Sequence, residues 1–507
     1  MMKPNLTFFF FLLFASLYIG QAQAQHPCGT PTVKSDWLTK FQQNPENFMV
    51  PEDDTILYIP MTVHLLGLDN GTGHYKFEDL AASICQLNAD FAQANIQYFL
   101  ESPLHYINNT DYNTHQTVIQ GAEMMFANDV PNTLNSYFLD DPAGNCGYNL
   151  PYASVAMNKG CSGLSSHTWA HEIGHAFTLP HPFLGWEGKT YMEGDTAPVR
   201  VTYDYTYFQD TLILDTLIID TTFVELLDGS NCSVAADGFC DTPPDYLSYR
   251  WLCNSQNNNG FSQTDPSGND FKTSGELFMS YAYDQCQSKF SDNQITAMRS
   301  YILNEKPNWL YNQEPLDTLS STKADLIAPS QGEWTDPNYT KLTWTDFGPT
   351  ATYHLVVAKA LNMTYVVLDT FVTGNSYVLS GLENRNYYWK VQPFNKYSFC
   401  TPNSSQGKFK ADDSVVAVED INKMSWRIQP SILTSGGSMQ LIGNQSTMSN
   451  SLLTIMDVSG RVILEKILEK GQNKYEISLA EKNMYGMYFL IIRSDSGAKS
   501  YQKIMIY

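Results

Sequence analysis

Positive charge is scarce in this chain: 30 lysines and arginines stand against 52 aspartates and glutamates, a net charge of -22. A protein of that sign is repelled by phosphate, which excludes nucleic acid and anionic membrane surfaces as partners. Long apolar runs are scarce as well. Beyond residue 24 no stretch approaches the roughly 20 apolar residues that a spanning helix needs, which excludes a transmembrane anchor from the mature chain. The cysteines lack an even number. Nine of them, at 28, 85, 146, 161, 232, 240, 253, 286 and 400, leave at least one thiol outside any set of disulfides.

The chain does begin with one apolar run. Met1, Met2 and Lys3 precede Phe8 to Ile19, and Ala22-Gln23-Ala24 forms a small-x-small site, so residues 1–24 read as a secretory signal peptide. Export exposes the cysteines to an oxidising compartment in which most can pair. Six of the nine lie between Cys146 and Cys286, so disulfides are expected to concentrate there. A length of 507 residues calls for two to four domains.

The apolar pattern supplies their class. "ILYIPMTVHLL" from Ile56 reads as a strand, and the next segment repeats Leu80, Ile84, Leu87 and Phe91 at helical spacing. The strands "IQYFL" and "TLNSYFL" follow, an α/β pattern with a modest sheet. From Asp210 the sequence "DTLILDTLIIDTT" reads as an insertion hairpin, either a solvated strand edge or an O-glycosylation signal. Ser291 and Gln294 have capping-box spacing before the stripe Ile295, Met298 and Ile302. Thereafter short alternating strands bounded by Gly, Asn and Pro predict a β-sandwich with Trp344 and Trp389 in its core, then a second β-rich module to Tyr507. Catalytic residue types cluster in neither.

They cluster instead in "HEIGHAFTLPHPF", residues 171–183. His171 and His175, four apart, share one face of a helix and can bind one zinc ion, with His181 as a third ligand. Glu172 is placed to hold a zinc-bound water, take its proton as the water attacks a peptide carbonyl, and deliver that proton to the leaving amine. Thr178 stands where the chain must turn. A β-branched residue dislikes the left-handed conformation such a turn uses, at about 1 to 2 kcal/mol, while Pro180 supplies a second stop to the helix.

His171-Glu172-x-x-His175-x-x-Thr178-x-x-His181 resembles the metzincin zinc motif, with Thr178 in place of the usual glycine. Three further stretches narrow the resemblance to the pappalysin (cytophagalysin-like) family: "NCSVAADGFCDTPPD" from Asn231, "LFMSYAYDQCQSKFSDNQITAMR" from Leu277, and "HPCGT" at His26. The resemblance implies zinc ligands His171, His175 and His181, Glu172 as general base and acid, Met279 beneath the metal, and Tyr281 as stabiliser of the oxyanion. It associates the loop of Asp237, Asp241, Thr242 and Asp245 with calcium, whose preference is for hard oxygens; an Asp- and Pro-rich turn explains the same letters. Cys28 reads either as a thiolate switch on the zinc or as half of a disulfide.

Downstream, Asp457-x-x-Gly460-Arg461, Gly486-x-Tyr488 and Lys503 resemble the C-terminal sorting domain of type IX secretion cargo, with Gln429-Pro430 where that family has Asn-Pro. The expected architecture is multidomain: signal peptide 1–24, short propeptide 25–52, an α/β metzincin-like zinc peptidase domain 53–312, then two all-β domains, a fibronectin type III-like sandwich at 323–412 and a β-sandwich sorting domain at 424–507. The expected partners are protein or peptide substrates and the type IX secretion machinery, and the expected location is outside the cell or on its outer surface. Two functions are weighed. One is a zinc metalloendopeptidase; the other is a surface binding protein or adhesin on a decayed peptidase scaffold, for which Thr178 and the accessory β-modules speak.

Overall fold

The computed structural model describes residues 28–30, 33–50, 55–150, 154–209, 212–311, 317–415, 426–430, 432–433, 435–443, 450–457, 461–479, 484, 486–494 and 499–506. The signal peptide and Gly460 lie outside them. Among the described residues no helix is long and apolar enough to cross a membrane. The chain divides into two compact units: Met1–Ala328 with Thr343–Tyr377 and Tyr388–Gly407, and Pro329–Leu342 with Val378–Tyr387 and Lys408–Tyr507.

In the first unit, α1 (Asp36–Gln43) precedes the strand β1 (Leu57–Gly67), helix α2 (Phe77–Asp90), and strands β2 (Ile96–Leu100) and β3 (His105–Asn108). Then come α3 (Val118–Asn128), β4 (Leu134–Leu139), β5 (Gly147–Asn149), β6 (Val155–Asn158) and α4 (Thr168–Ala176). The sheet runs β2-β1-β4-β6-β5, with β3 pairing further along β1. All these pairs are parallel except the edge strand β5, which is antiparallel to β6. A parallel sheet is covered on both faces, and β1 accordingly buries Leu57, Ile59, Met61, Val63, Leu65 and Leu66 rather than alternating. The α/β opening expected from the apolar periods is this sheet, and the expected helix of Leu80, Ile84, Leu87 and Phe91 is α2, all four buried, with Phe91 as its C-cap just past the last helical residue.

The insertion is an antiparallel hairpin of β7 (Arg200–Gln209) and β8 (Leu212–Phe223). After it the chain follows loops until α5 (Asp292–Glu305), whose capping box is formed by Ser291 and Gln294. Cys146–Cys161, Cys232–Cys240 and Cys253–Cys286 are bonded, so the six clustered cysteines pair among themselves.

Part of the expected sandwich segment groups with the first unit. Strands β9 (Thr352–Ala358) and β10 (Val366–Thr373), with residues 388–394 of β11 (Asn386–Phe394), belong to the first unit, although they lie inside the expected sandwich. The reason is physical attachment. Cys85 of α2 is bonded to Cys400, Lys390 pairs with Glu78 at 2.5 Å, and Phe77 packs against His354, Phe371 and Phe394 with centroids 4.4–4.9 Å apart. Trp344 and Trp389 are fully buried, as expected of core residues.

In the second unit the C-terminal strands form two sheets. Trp426–Gln429, Ser438–Gly443 and Lys474–Ser478 make one of three strands, and Gly486–Ser494 lies between Ser451–Asp457 and Lys499–Ile506 in another of five. Trp426, Leu441, Leu453, Ile455, Leu490 and Ile504 fill their shared core.

Candidate metal centre

Helix α4 is nine residues long and mostly buried. It carries His171, Glu172 and His175 toward the sheet edge because residues one turn apart face the same way. Gly174 lies beside them on the flank packed against Met279 and Phe290. A Cβ built there would stand 2.4 Å from the Met279 sulfur, so only glycine lets the methionine pack directly beneath the helix. Met279 is fully buried.

The helix ends at Ala176, and Thr178 takes φ +77°, the left-handed region its branched side chain dislikes. The expected strain is therefore present. The expectation did not include a partner: the Thr178 hydroxyl is hydrogen-bonded to the Ser35 hydroxyl, and Ser35 also caps α1 by accepting from the Leu38 N–H at 3.0 Å. After this turn the chain brings His181 back to the other two histidines.

The three Nε2 atoms lie 3.1, 3.1 and 3.3 Å apart. Zinc bonds of 2.0–2.1 Å in a tetrahedron require nitrogens about 3.3 Å apart, so the donor set fits that ion. Each ring is oriented from behind. His171 Nδ1 donates to the Phe278 carbonyl and His175 Nδ1 to the Leu179 carbonyl, each at 2.7 Å. A carbonyl only accepts, so in both rings the proton is on Nδ1 and the Nε2 lone pair is free. His181 Nδ1 faces the Glu187 carboxylate at 3.0 Å. Burial pushes His171 and His181 down to about 3 and also lowers His175, with their mutual repulsion adding for His171 and His175. All three are neutral at ordinary pH, the state in which an imidazole can bind a metal.

Glu172 is fully buried, and burial pushes it up to about 8 against hydrogen bonds from Thr30 and Cys28 that pull it down. Its Oε2 accepts from the Thr30 hydroxyl at 2.9 Å and the Cys28 thiol at 3.4 Å, while Oε1 is buried without a partner. Tyr281 is almost fully buried, with its ring 4.9 Å from that of His181 and 5.8 Å from that of His171. The residues singled out from the sequence thus meet in one place. Thr30 and Glu187 were missed; neither belongs to a recurring spacing, and only the path of the chain brings them in.

Cys28 is the one free cysteine among the described residues. Its sulfur and one nitrogen from each of His171, His175 and His181 lie within 4.8 Å of one another, so the disulfide alternative does not apply here. Its segment runs along the sheet edge: Gly29 N–H donates to the Gly147 carbonyl at 2.9 Å, and Asn149 N–H donates to the Thr30 hydroxyl at 2.8 Å. Helix α1 then buries Leu38 and Phe41 in the main core.

The acidic loop behaves differently. Asp241 accepts from Ser291 Oγ and Asn293 N–H at the start of α5, at 2.9 and 2.8 Å. Asp245 accepts from Leu247 N–H and Ser280 Oγ, each at 2.9 Å. Asp237 accepts from Phe239 N–H and the Thr242 hydroxyl, each at 3.0 Å. Turn and cap donors occupy most of the oxygens of these four residues, as the turn reading of the loop expects, and among the described residues Asp237 Oδ2 alone of the six carboxylate oxygens is buried without a partner.

Residues 439–507 match the sequence profile of the secretion system C-terminal sorting domain. The protein is secreted or attached to the outer cell surface, and that domain implies contact with secretion machinery. No curated protein matches the chain. Among solved structures, a Tannerella forsythia promirolysin mutant is 17% identical over 57% of this chain and 98% of its own, with a TM-score of 0.39. Fibronectin(III)-like modules of Clostridium thermocellum CbhA are 12% identical over 36% of this chain and 93% of their own, and chicken CNTN1 FN1-FN3 domains 13% identical over 37% and 68%; both score 0.15. Each is a similarity and not an assignment.

Proposed function

We propose that this chain is a secreted, zinc-dependent metalloendopeptidase of the pappalysin type, described here in a latent form. The observation that carries the reading is the triangle of neutral imidazole nitrogens, 3.1–3.3 Å on a side, with a buried carboxylate in the same helix. His171, His175 and His181 would hold zinc, and the bound ion would supply Lewis-acid polarisation of the scissile carbonyl and acidify water.

The chain's own groups do the rest. Oε1 of Glu172 takes a proton from water as its oxygen bonds to the carbonyl carbon, and Glu172 returns that proton to the amide nitrogen as the C–N bond breaks. The Tyr281 hydroxyl donates toward the oxygen that gains charge. With residues 28–30 removed, edge strand β5 would offer the Gly147 carbonyl and the Asn149 N–H to an extended peptide, a recurring mode of peptide capture. Residues 28–30 occupy that edge now, and Cys28 stands as the fourth donor beside the histidines. Type IX export through the C-terminal domain, a fibronectin type III-like module at 323–412 and removal of the segment before residue 53 complete the proposed life of the molecule.

The test is hydrolysis of a casein-like substrate by protein freed of residues 25–52. Activity should vanish with a chelator, return with zinc, and be lost in Glu172→Ala. One equivalent of bound zinc without turnover on varied peptides would instead favour a binding protein on a peptidase scaffold.

A further inference from the structure

We propose that Glu187 is the positioning residue of the zinc site: its carboxylate fixes the tautomer and direction of His181, the one ligand that no helix holds. The inference rests on reading the three histidines as zinc ligands. His171 and His175 project from α4, so the helix and two main-chain carbonyls set their rings. His181 lies on an irregular loop and has neither support. Its Nδ1 meets Glu187 Oε1 at 3.0 Å, while Glu187 Oε2 accepts from Gly185 N–H at 2.7 Å, so both oxygens are used.

The loop that presents Glu187 is itself fixed. The Phe183 ring stacks on His181, with centroids 4.5 Å apart and planes 12° from parallel. Phe183 and Trp186 are buried in a core shared with Val201 and Val224 at the base of the hairpin. Gly185 has φ +99°, and a Cβ on it would stand 2.6 and 2.7 Å from Thr222 and Val201. The hairpin therefore backs the turn that carries the carboxylate to the ligand.

The chemistry gives this contact a purpose. A neutral carbonyl behind an imidazole only orients it, whereas an anion also raises its basicity and offsets the charge of a buried dication. Among the described residues Glu187 is the one carboxylate hydrogen-bonded to any of the three rings, since Glu172 faces the substrate side with Thr30 and Cys28; burial pushes Glu187 up to about 8, and a dication bound beside it would favour its charged form.

Zinc affinity of the full-length protein, measured by competition with a chromophoric chelator, tests the role. Glu187→Ala should weaken zinc about ten- to a hundredfold. Glu187→Gln can accept from only one of the two donors and should fall between it and the parent. Cobalt(II) in place of zinc should show a shifted visible spectrum in both variants. Zinc affinity within twofold of the parent in Glu187→Ala would overturn the proposal. So would an equal loss of stability in the metal-free and zinc-loaded proteins, which would make Glu187 an ordinary fold residue. A parent chain that binds no zinc would overturn the reading of the histidines beneath it.

Discussion

Two stretches of this chain look alike as strings of metal-ligand letters, and the fold treats them in opposite ways. Residues 171–181 direct three side chains at one point, with every Nδ1 satisfied from behind and every Nε2 left free. Residues 237–245 spend most of their carboxylate oxygens on hydrogen bonds, to a turn, the start of α5 and the Ser280 hydroxyl. Ligand type is therefore not enough. A metal site requires donors whose remaining hydrogen-bonding needs are met elsewhere; carboxylates among unpaired N–H groups are consumed by the main chain.

That contrast can be broken by measurement. The largest effect belongs to Glu172→Ala, which should lower peptidase activity of the segment-free protein by about 10² to 10⁴ with zinc content unchanged. Loss of zinc along with activity would mean the residue is structural. Next comes the acidic loop, where burial pushes Asp237 and Asp245 up to about 7 from an ordinary value near 3.9. The folded chain then binds more protons than the unfolded one between these values, so stability falls as pH rises from about 4 to about 7. Asp237→Asn should flatten that slope and raise stability at pH 8 by about 1 to 3 kcal/mol, read by denaturant unfolding at pH 5 and pH 8. Millimolar calcium should leave the melting temperature unchanged; a rise of several degrees that Asp237→Asn removes would make the loop a metal site after all. Smallest is Thr178→Gly. Relief of the left-handed strain, about 1 kcal/mol, and loss of one hydroxyl contact of similar worth nearly cancel in overall stability. Limited proteolysis should nevertheless cut residues 28–50 faster, because Ser35 loses its partner.

What could be read in advance follows from distance along the chain. The i, i+4 histidines, the α2 stripe and the Ser291 capping box are local patterns, and each forms where it was expected. Thr178 was legible as a strained hinge because its conformation is a property of the turn; its bond to Ser35 was not, since 143 residues separate them. Glu187 escaped for a related reason. Its position depends on a loop braced by the hairpin, and no periodicity announces such a brace. The Asp-rich loop left calcium and a plain turn both open because composition reports which oxygens exist, not which donors claim them.

The Cys85–Cys400 bond has a consequence for the timing of assembly. Its partners are 315 residues apart, so the covalent closure of the first unit waits until nearly four-fifths of the polypeptide has emerged. The first unit thus cannot be locked shut while the chain up to Cys400 is still being delivered. Once locked, a single break anywhere between the two cysteines leaves the pieces joined, and only a reducing agent would let them part on a gel.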